Sequence, residues 1–161
     1  MRKVLPLLLF VVIVGIQGQA QVVKNYALRD LENQLVNLHD LKGESITVID
    51  FWTTWCKPCR KAIPELNKIY QTYKDQGVNI IGISCDGPRS VAKVEGVSKS
   101  LQMQYPVLID INSDVMNSLN LVSFPTLVIL DQKNKIQYFH EGFVPGDEEE
   151  FISAIEKLLK K

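Results

Sequence analysis

Apolar residues along this chain follow two different periods. Residues 46–51 and 79–85 are short, β-branched and almost unbroken runs, the pattern of strands buried on both faces. Between them Ala62, Ile63, Leu66, Ile69, Tyr70 and Tyr73 recur at helical spacing in a run that extends to about Lys74, with Gly77 as its stop. Strand, helix and strand at this spacing predict a parallel βαβ unit. Pro64 falls inside the helical run, removes one backbone hydrogen bond and predicts a kink around Arg60.

The flanking patterns extend the unit on both sides. Tyr26-Ala27-Leu28 and Leu35-Val36-Asn37-Leu38 are short apolar runs joined by a polar turn at 30–34, which predicts a hairpin. Residues 21–25 read as a loose lead-in, and residues 39–43 as a short helical turn ended by glycine. After the second buried strand come a helix at 89–101, a short strand at 105–109, and a helix at 113–119 with Ser113 or Asn112 as its N-cap. Residues 126–130 and 136–141 predict an antiparallel hairpin through the polar turn at 131–135. The last helix, 147–160, starts acidic and ends in lysines, which matches the helix dipole, with Asp147 as N-cap. No repeat, low-complexity stretch or interdomain linker interrupts this order.

The first twenty residues have a different character. Arg2 and Lys3 supply a positive start, and residues 4–16 are thirteen positions without charge, the length of a signal-peptide core and short for a membrane span. Gly18-Gln19-Ala20 places small residues where a signal peptidase needs them, so cleavage is expected after Ala20. An uncleaved N-terminal membrane anchor is the alternative; the lack of a nearby cysteine excludes a bacterial lipoprotein. Residues 1–20 are thus read as a signal peptide and 21–161 as one exported domain, periplasmic or otherwise outside the cytoplasm. The full chain has 161 residues, is 46% hydrophobic and carries no net charge. That is enough for a real core, and without a basic block nucleic acid is excluded as a partner. Loss of Arg2 and Lys3 leaves 16 basic against 18 acidic residues, a net charge of −2.

The chemistry is concentrated between the first buried strand and its helix, in Trp52-Thr53-Thr54-Trp55-Cys56-Lys57-Pro58-Cys59-Arg60. Two cysteines separated by two residues at a strand-to-helix junction point to a thiol–disulfide redox site. Free amide groups and the positive end of the helix dipole favour a thiolate at Cys56, and Lys57 adds charge beside it. Pro58 suits a first helical turn. Cys56 therefore reads as the exposed nucleophile and Cys59, one turn deeper, as the sheltered resolving thiol. The competing reading is half of a zinc site; zinc needs about four ligands, and the remaining soft candidates Cys85, His39 and His140 are scattered. The sequence therefore points to no metal and no cofactor. An exported chain stapled for stability carries an even set of structural cysteines, whereas this one has a close pair and one bystander, Cys85.

Two further positions bear on the pair. Asp50 interrupts the first buried strand six residues before Cys56. It is either a buried carboxyl of raised pKa, able to exchange protons with Cys59, or an end-of-strand residue capping a loop. Pro125, in Ser123-Phe124-Pro125-Thr126, is either an edge device at a strand entry or a cis proline that holds the preceding backbone open to an extended substrate.

Together these residues resemble the thioredoxin superfamily and, within it, the exported TlpA/ResA-type thiol–disulfide oxidoreductases. The resemblance is carried by Asp50 through Cys59, Pro64, Phe124-Pro125-Thr126 and Gly142, and covers about residues 26–161. It implies an α/β thioredoxin-like fold: a central mixed β-sheet flanked by helices, with an N-terminal β-hairpin extension and an added segment at about 86–112. It implies a cis Pro125 beside the cysteine pair, and contact with substrate by Trp55, Lys57, Pro58, Phe124 and Pro125. It implies catalysis by Cys56, Cys59 and Asp50 on protein disulfide substrates, recharging by a membrane thiol donor, action as a monomer, and a place in exported redox homeostasis such as cytochrome c maturation. Asp50 matches thioredoxin itself where many of the TlpA-like branch have another residue, and Phe124 departs from the small or β-branched residue common before the cis proline. Two rival classes are weighed against this. A thiol peroxidase of peroxiredoxin type has Pro-x-x-x-Thr-x-x-Cys; Thr53 fits, but Ile49 stands at the proline position. A non-redox binding or chaperone module is opposed by the intact Cys-Lys-Pro-Cys pair.

Overall fold

The apolar run at 46–52 forms an interior strand of a seven-stranded sheet in the computed structural model, which describes residues 21–160. The signal peptide expected at 1–20 lies outside those residues. The strands are β1 (Ala27–Asp30), β2 (Leu35–Asn37), β3 (Ile46–Trp52), β4 (Val78–Ser84), β5 (Val107–Ile109), β6 (Thr126–Leu130) and β7 (Ile136–Glu141), in the spatial order β2-β1-β5-β4-β3-β6-β7. β3, β4 and β5 run parallel, while the β1–β2 hairpin and the β6–β7 hairpin join the two sides antiparallel. The predicted mixed sheet and N-terminal hairpin extension are both present. Among the described residues no helix is long and apolar enough to cross a membrane.

Alternation along the strands sorts the core into two faces. Ile46, Val48, Val78, Ile80, Leu127 and Ile129 face α1 (Lys57–Tyr73) and α4 (Asp147–Leu159), meeting Leu66, Ile69, Phe151 and Ile155. Ile49, Phe51, Ile81, Ile83, Leu108 and Val128 face the other way, toward Val115 of α3 (Asp114–Ser118) and the loop that follows it. α2 (Val94–Ser100) closes the sheet end beside the cysteines through Val94, in one cluster with Trp52, Ile63 and Val107. β3 is buried at all seven positions, which is why its sequence shows no alternation.

Several boundaries differ from the sequence expectation for identifiable reasons. Residues 21–25 are not loose: Val22 bridges Lys135, Val23 is buried, and its amide donates to Asn134 O at 2.9 Å. The strand expected at 105–109 begins only at Val107, because Pro106 has no amide to donate and instead its carbonyl accepts Gly82 N. The helix expected at 89–101 opens as a 3-10 turn, Val91–Lys93, before α2. Ser113 stands at the N-cap position of α3 as expected, but with φ 60° and no side-chain cap bond. The buried Asp110 carboxylate does the capping, accepting the amides of Asp114 and Met116 at 2.8 and 3.0 Å. Asp147 is the first residue of α4, not its N-cap. The chain turns at Gly146, with φ 112°, and the Asp147 carboxylate is taken by the amide of Val144 in the preceding loop.

Candidate active site

β3 ends at Trp52, and four residues later the chain turns into α1 at Cys56. The Cys56 amide donates to Thr53 O at 3.2 Å, and Cys56 is the N-cap, with φ −77° and ψ 107°. Pro58 sits in the first turn, and no acidic residue does. Cys56 and Cys59 are joined in a disulfide with their Cα atoms 5.3 Å apart. The amide of Cys59 donates to Cys56 Sγ at 3.1 Å, so a free N–H of the helix end is aimed at that sulfur. Negative charge on Cys56 after reduction is favoured by that amide and by the helix dipole. Lys57 and Arg60 are exposed.

Cys56 is more enclosed than the sequence predicted. It is 4% exposed, against 0% for Cys59, because its side chain turns back over the helix end and packs with Trp52, Ile63 and Phe124. Cys56 still has the only exposure in the pair. Around it stand the residues expected to meet substrate. Trp55 is 68% exposed, with its ring edge-on to Phe124 at 6.2 Å between centroids. Lys57 and Pro58 are exposed beside it. The Phe124–Pro125 peptide is cis, and the loop is held by Gly142 N to Pro125 O at 2.7 Å and Thr126 Oγ1 to Ser123 O at 2.8 Å. The residues expected to meet substrate therefore lie at the β3–α1 junction and on the cis-proline loop.

A residue the sequence reading missed fixes the turn before Cys56. Asp86, two residues past β4, is fully buried and accepts the Thr54 amide and Thr54 Oγ1, each at 2.7 Å, and Ser84 Oγ at 3.0 Å. These bonds tie the approach to the cysteines to the end of the neighbouring strand. Its signal in the sequence was weak: a carboxylate just after a buried strand, next to Gly87-Pro88. Asp86→Ala leaves three buried donors without partners and is expected to lower stability by about 3 kcal/mol, read by denaturant unfolding of the oxidised protein. A loss no larger than that of a surface substitution would show that the turn does not depend on Asp86.

Asp50 resolves its two readings in favour of burial. It lies in mid-strand, 1% exposed, on the face toward α1. Its pKa is pushed from 3.8 up to about 7 by burial, while the hydrogen bond from Tyr105 works in the opposite direction. Tyr105 OH donates to Asp50 Oδ2 at 3.1 Å, and Oδ1 has no partner among the described residues. Tyr105 was also missed. The available signal was Gly82 in the interior of a buried strand, which marks a close approach. Cys85 lies past β4, half-buried and unpaired, its thiol pushed above the ordinary value by burial first and then by Asp110, Asp86 and Asp50. No group of three or more His, Cys, Asp or Glu among the described residues is placed to hold a metal ion.

Known proteins resemble this chain over nearly all of the described region. The profile of the AhpC/TSA family matches residues 20–139. Thiol-disulfide oxidoreductase ResA of Bacillus thuringiensis subsp. konkukian is 31% identical over 137 residues, which is 85% of this chain and 74% of that protein. Thioredoxin-like protein YneN of Bacillus subtilis is 34% identical over 140 residues, 85% of this chain and 79% of that protein. The crystal structure of the thioredoxin domain of a thiol-disulfide oxidoreductase from Bacteroides vulgatus superposes with a TM-score of 0.72 at 29% identity, covering 87% of this chain and 96% of that one.

Proposed function

The chain belongs to the AhpC/TSA family, and on that premise we propose that Cys56 and Cys59 are its catalytic pair, with Asp50 as their proton acceptor. The protein is a thiol–disulfide oxidoreductase of thioredoxin-like fold. The observation that carries the residue assignment is a disulfide at a helix N-terminus with an amide aimed at Cys56 Sγ and a buried carboxyl on the sheet face below.

In the reductive direction the Cys56 thiolate attacks one sulfur of a substrate disulfide. That S–S bond breaks, a mixed disulfide forms, and the second substrate sulfur leaves as a thiolate and takes a proton. Cys59 then passes its proton to Asp50 and attacks Cys56 Sγ. The mixed bond breaks, the substrate leaves fully reduced, and the Cys56–Cys59 disulfide remains. Two electrons have moved from the protein to the substrate. Trp55, Lys57, Pro58, Phe124 and Pro125 receive the substrate around Cys56. The substrates are disulfides of exported proteins, apocytochrome c among them, and a membrane thiol donor returns the pair to the dithiol. The protein works as a monomer outside the cytoplasm, with 1–20 as its signal peptide.

The test of direction is the reduction potential of the pair in a thiol redox buffer. A reductant is expected near the thioredoxin value of about −270 mV; a value near the strongly oxidising −120 mV or so would reverse the direction. Cys85 has no part in this cycle. Burial and three nearby carboxylates hold its thiol protonated, and only a thiolate exchanges. Cys85→Ser is expected to retain nearly full activity in an insulin-reduction assay, and a collapse would make Cys85 a third redox residue.

A further inference from the structure

Period-2 alternation places three residues side by side on the α1 face of the sheet. Asp50 of β3 is in register with Gly82 of β4, and Gly82 is in register with Val107 of β5. Tyr105 lies just before β5 and packs in the core cluster on this same face. An ordinary side chain at position 82 would stand between Tyr105 and Asp50. A Cβ there would lie 3.0 Å from Met103 Cε, 3.2 Å from Tyr105 Cε2 and 3.3 Å from Trp52 Nε1. The glycine opens a gap in the middle strand, and the phenol occupies it.

We propose that Tyr105 is a positioning residue for the exchange reaction: reaching across the side-chain-free Gly82, its hydroxyl donates the hydrogen bond that holds the Asp50 carboxylate in its charged, proton-accepting form. The proposal rests on Asp50 as the proton acceptor and adds what keeps it one. Tyr105 is 4% exposed and its ring is held edge-on by Tyr70, with centroids 6.1 Å apart. Burial, reinforced by the charge of Asp50, raises its own pKa well above the usual phenol value, so it remains a donor throughout the working range. None of the ion pairs among the described residues involves Asp50. The thiol of Cys85 is a further titratable group in its surroundings, and the Asp50 charge pushes it up. Among the described residues Tyr105 is thus the one donor that opposes the burial penalty on this carboxylate.

The experiment mixes the reduced protein with 5,5′-dithiobis(2-nitrobenzoate) and follows the released chromophore in stopped flow from acid to alkaline pH. Attack by Cys56 releases the first equivalent, and resolution by Cys59 releases the second. In the parent protein the second phase is expected to rise with pH through about 7, following Asp50. Tyr105→Phe keeps the ring and removes only the hydroxyl. Its second phase is expected to keep this limb with the midpoint moved alkaline by roughly one pH unit, slowing resolution at neutral pH about 5- to 10-fold. The first phase stays unchanged. Gly82→Ala displaces the phenol and is expected to shift the limb in the same direction, with no further shift in the double variant. Carboxyl ¹³C titration of Asp50 in the Tyr105→Phe protein should show the same alkaline displacement. If Asp50→Asn abolishes the limb but Tyr105→Phe leaves its midpoint in place, the role of Tyr105 is overturned and that of Asp50 stands. If Asp50→Asn retains the parent profile, the proton-acceptor reading falls and this proposal with it.

Discussion

Cys59→Ser is expected to accumulate stable mixed disulfides with its substrates, joined through Cys56, whereas Cys56→Ser accumulates few and its reductase activity falls to background. The asymmetry follows from the first turn of α1. Cys56 is the N-cap, with the Cys59 amide 3.1 Å from its sulfur and no acidic residue in the turn, so a thiolate is stabilised there. Cys56 also holds the pair's only exposure, while Cys59 is fully buried and can be reached by Cys56 but not by a protein substrate. Removing the buried thiol leaves attack intact and blocks the second exchange. Non-reducing gels of whole cells, followed by mass spectrometry of the trapped bands, identify both the order and the substrates. Equal trapping by the two variants, or trapping by Cys56→Ser alone, would invert the assignment.

Asp50→Asn is expected to slow resolution at neutral pH by about 100-fold, the lower end of general-base contributions, while making the protein more stable in alkali. Asparagine keeps the shape and cannot take a proton. The stability effect has a definite sign. Folding lifts the Asp50 pKa from 3.8 to about 7, so between those values the folded chain binds a proton that the unfolded chain has released. The stability associated with that proton is complete below 3.8, declines as pH rises and is gone above about 7. Asp50→Asn escapes the decline. Relative to the parent its stability is expected to rise between pH 4 and pH 8 by up to roughly 4 kcal/mol. Denaturant unfolding at the two pH values reads this difference. A difference that does not change with pH would mean that Asp50 stays charged in the fold.

The sequence made the scaffold legible wherever one local rule decided the outcome. The almost unbroken apolar run of β3, the helical spacing of Ile63, Leu66 and Ile69, and the turn residues of both hairpins each gave the right element. Cys56 and Cys59 were legible from spacing alone, because a strand-to-helix junction turns that spacing into proximity. Residues whose role depends on a partner far along the chain were not. Asp86 acts on Thr54 and Tyr105 on Asp50, across separations that no periodicity encodes. The capping bonds were hidden for a related reason. Asp110 captures the α3 amides from outside the expected cap position, and Asp147 is committed to Val144. The enclosure of Cys56 arises in a cluster with Trp52, Ile63, Val94 and Val107, against which Phe124 packs, and that grouping exists only in the tertiary fold.

The central claim is that Cys56 and Cys59 pass two electrons to a protein disulfide. It is tested most directly by mixing the reduced protein with insulin, quenching with acid, and mapping the thiols of both partners by differential alkylation. The expected result is one insulin disulfide opened for each Cys56–Cys59 disulfide formed, with Cys85 remaining a free thiol. Insulin left intact, or opened while Cys56 and Cys59 stay reduced, would contradict it.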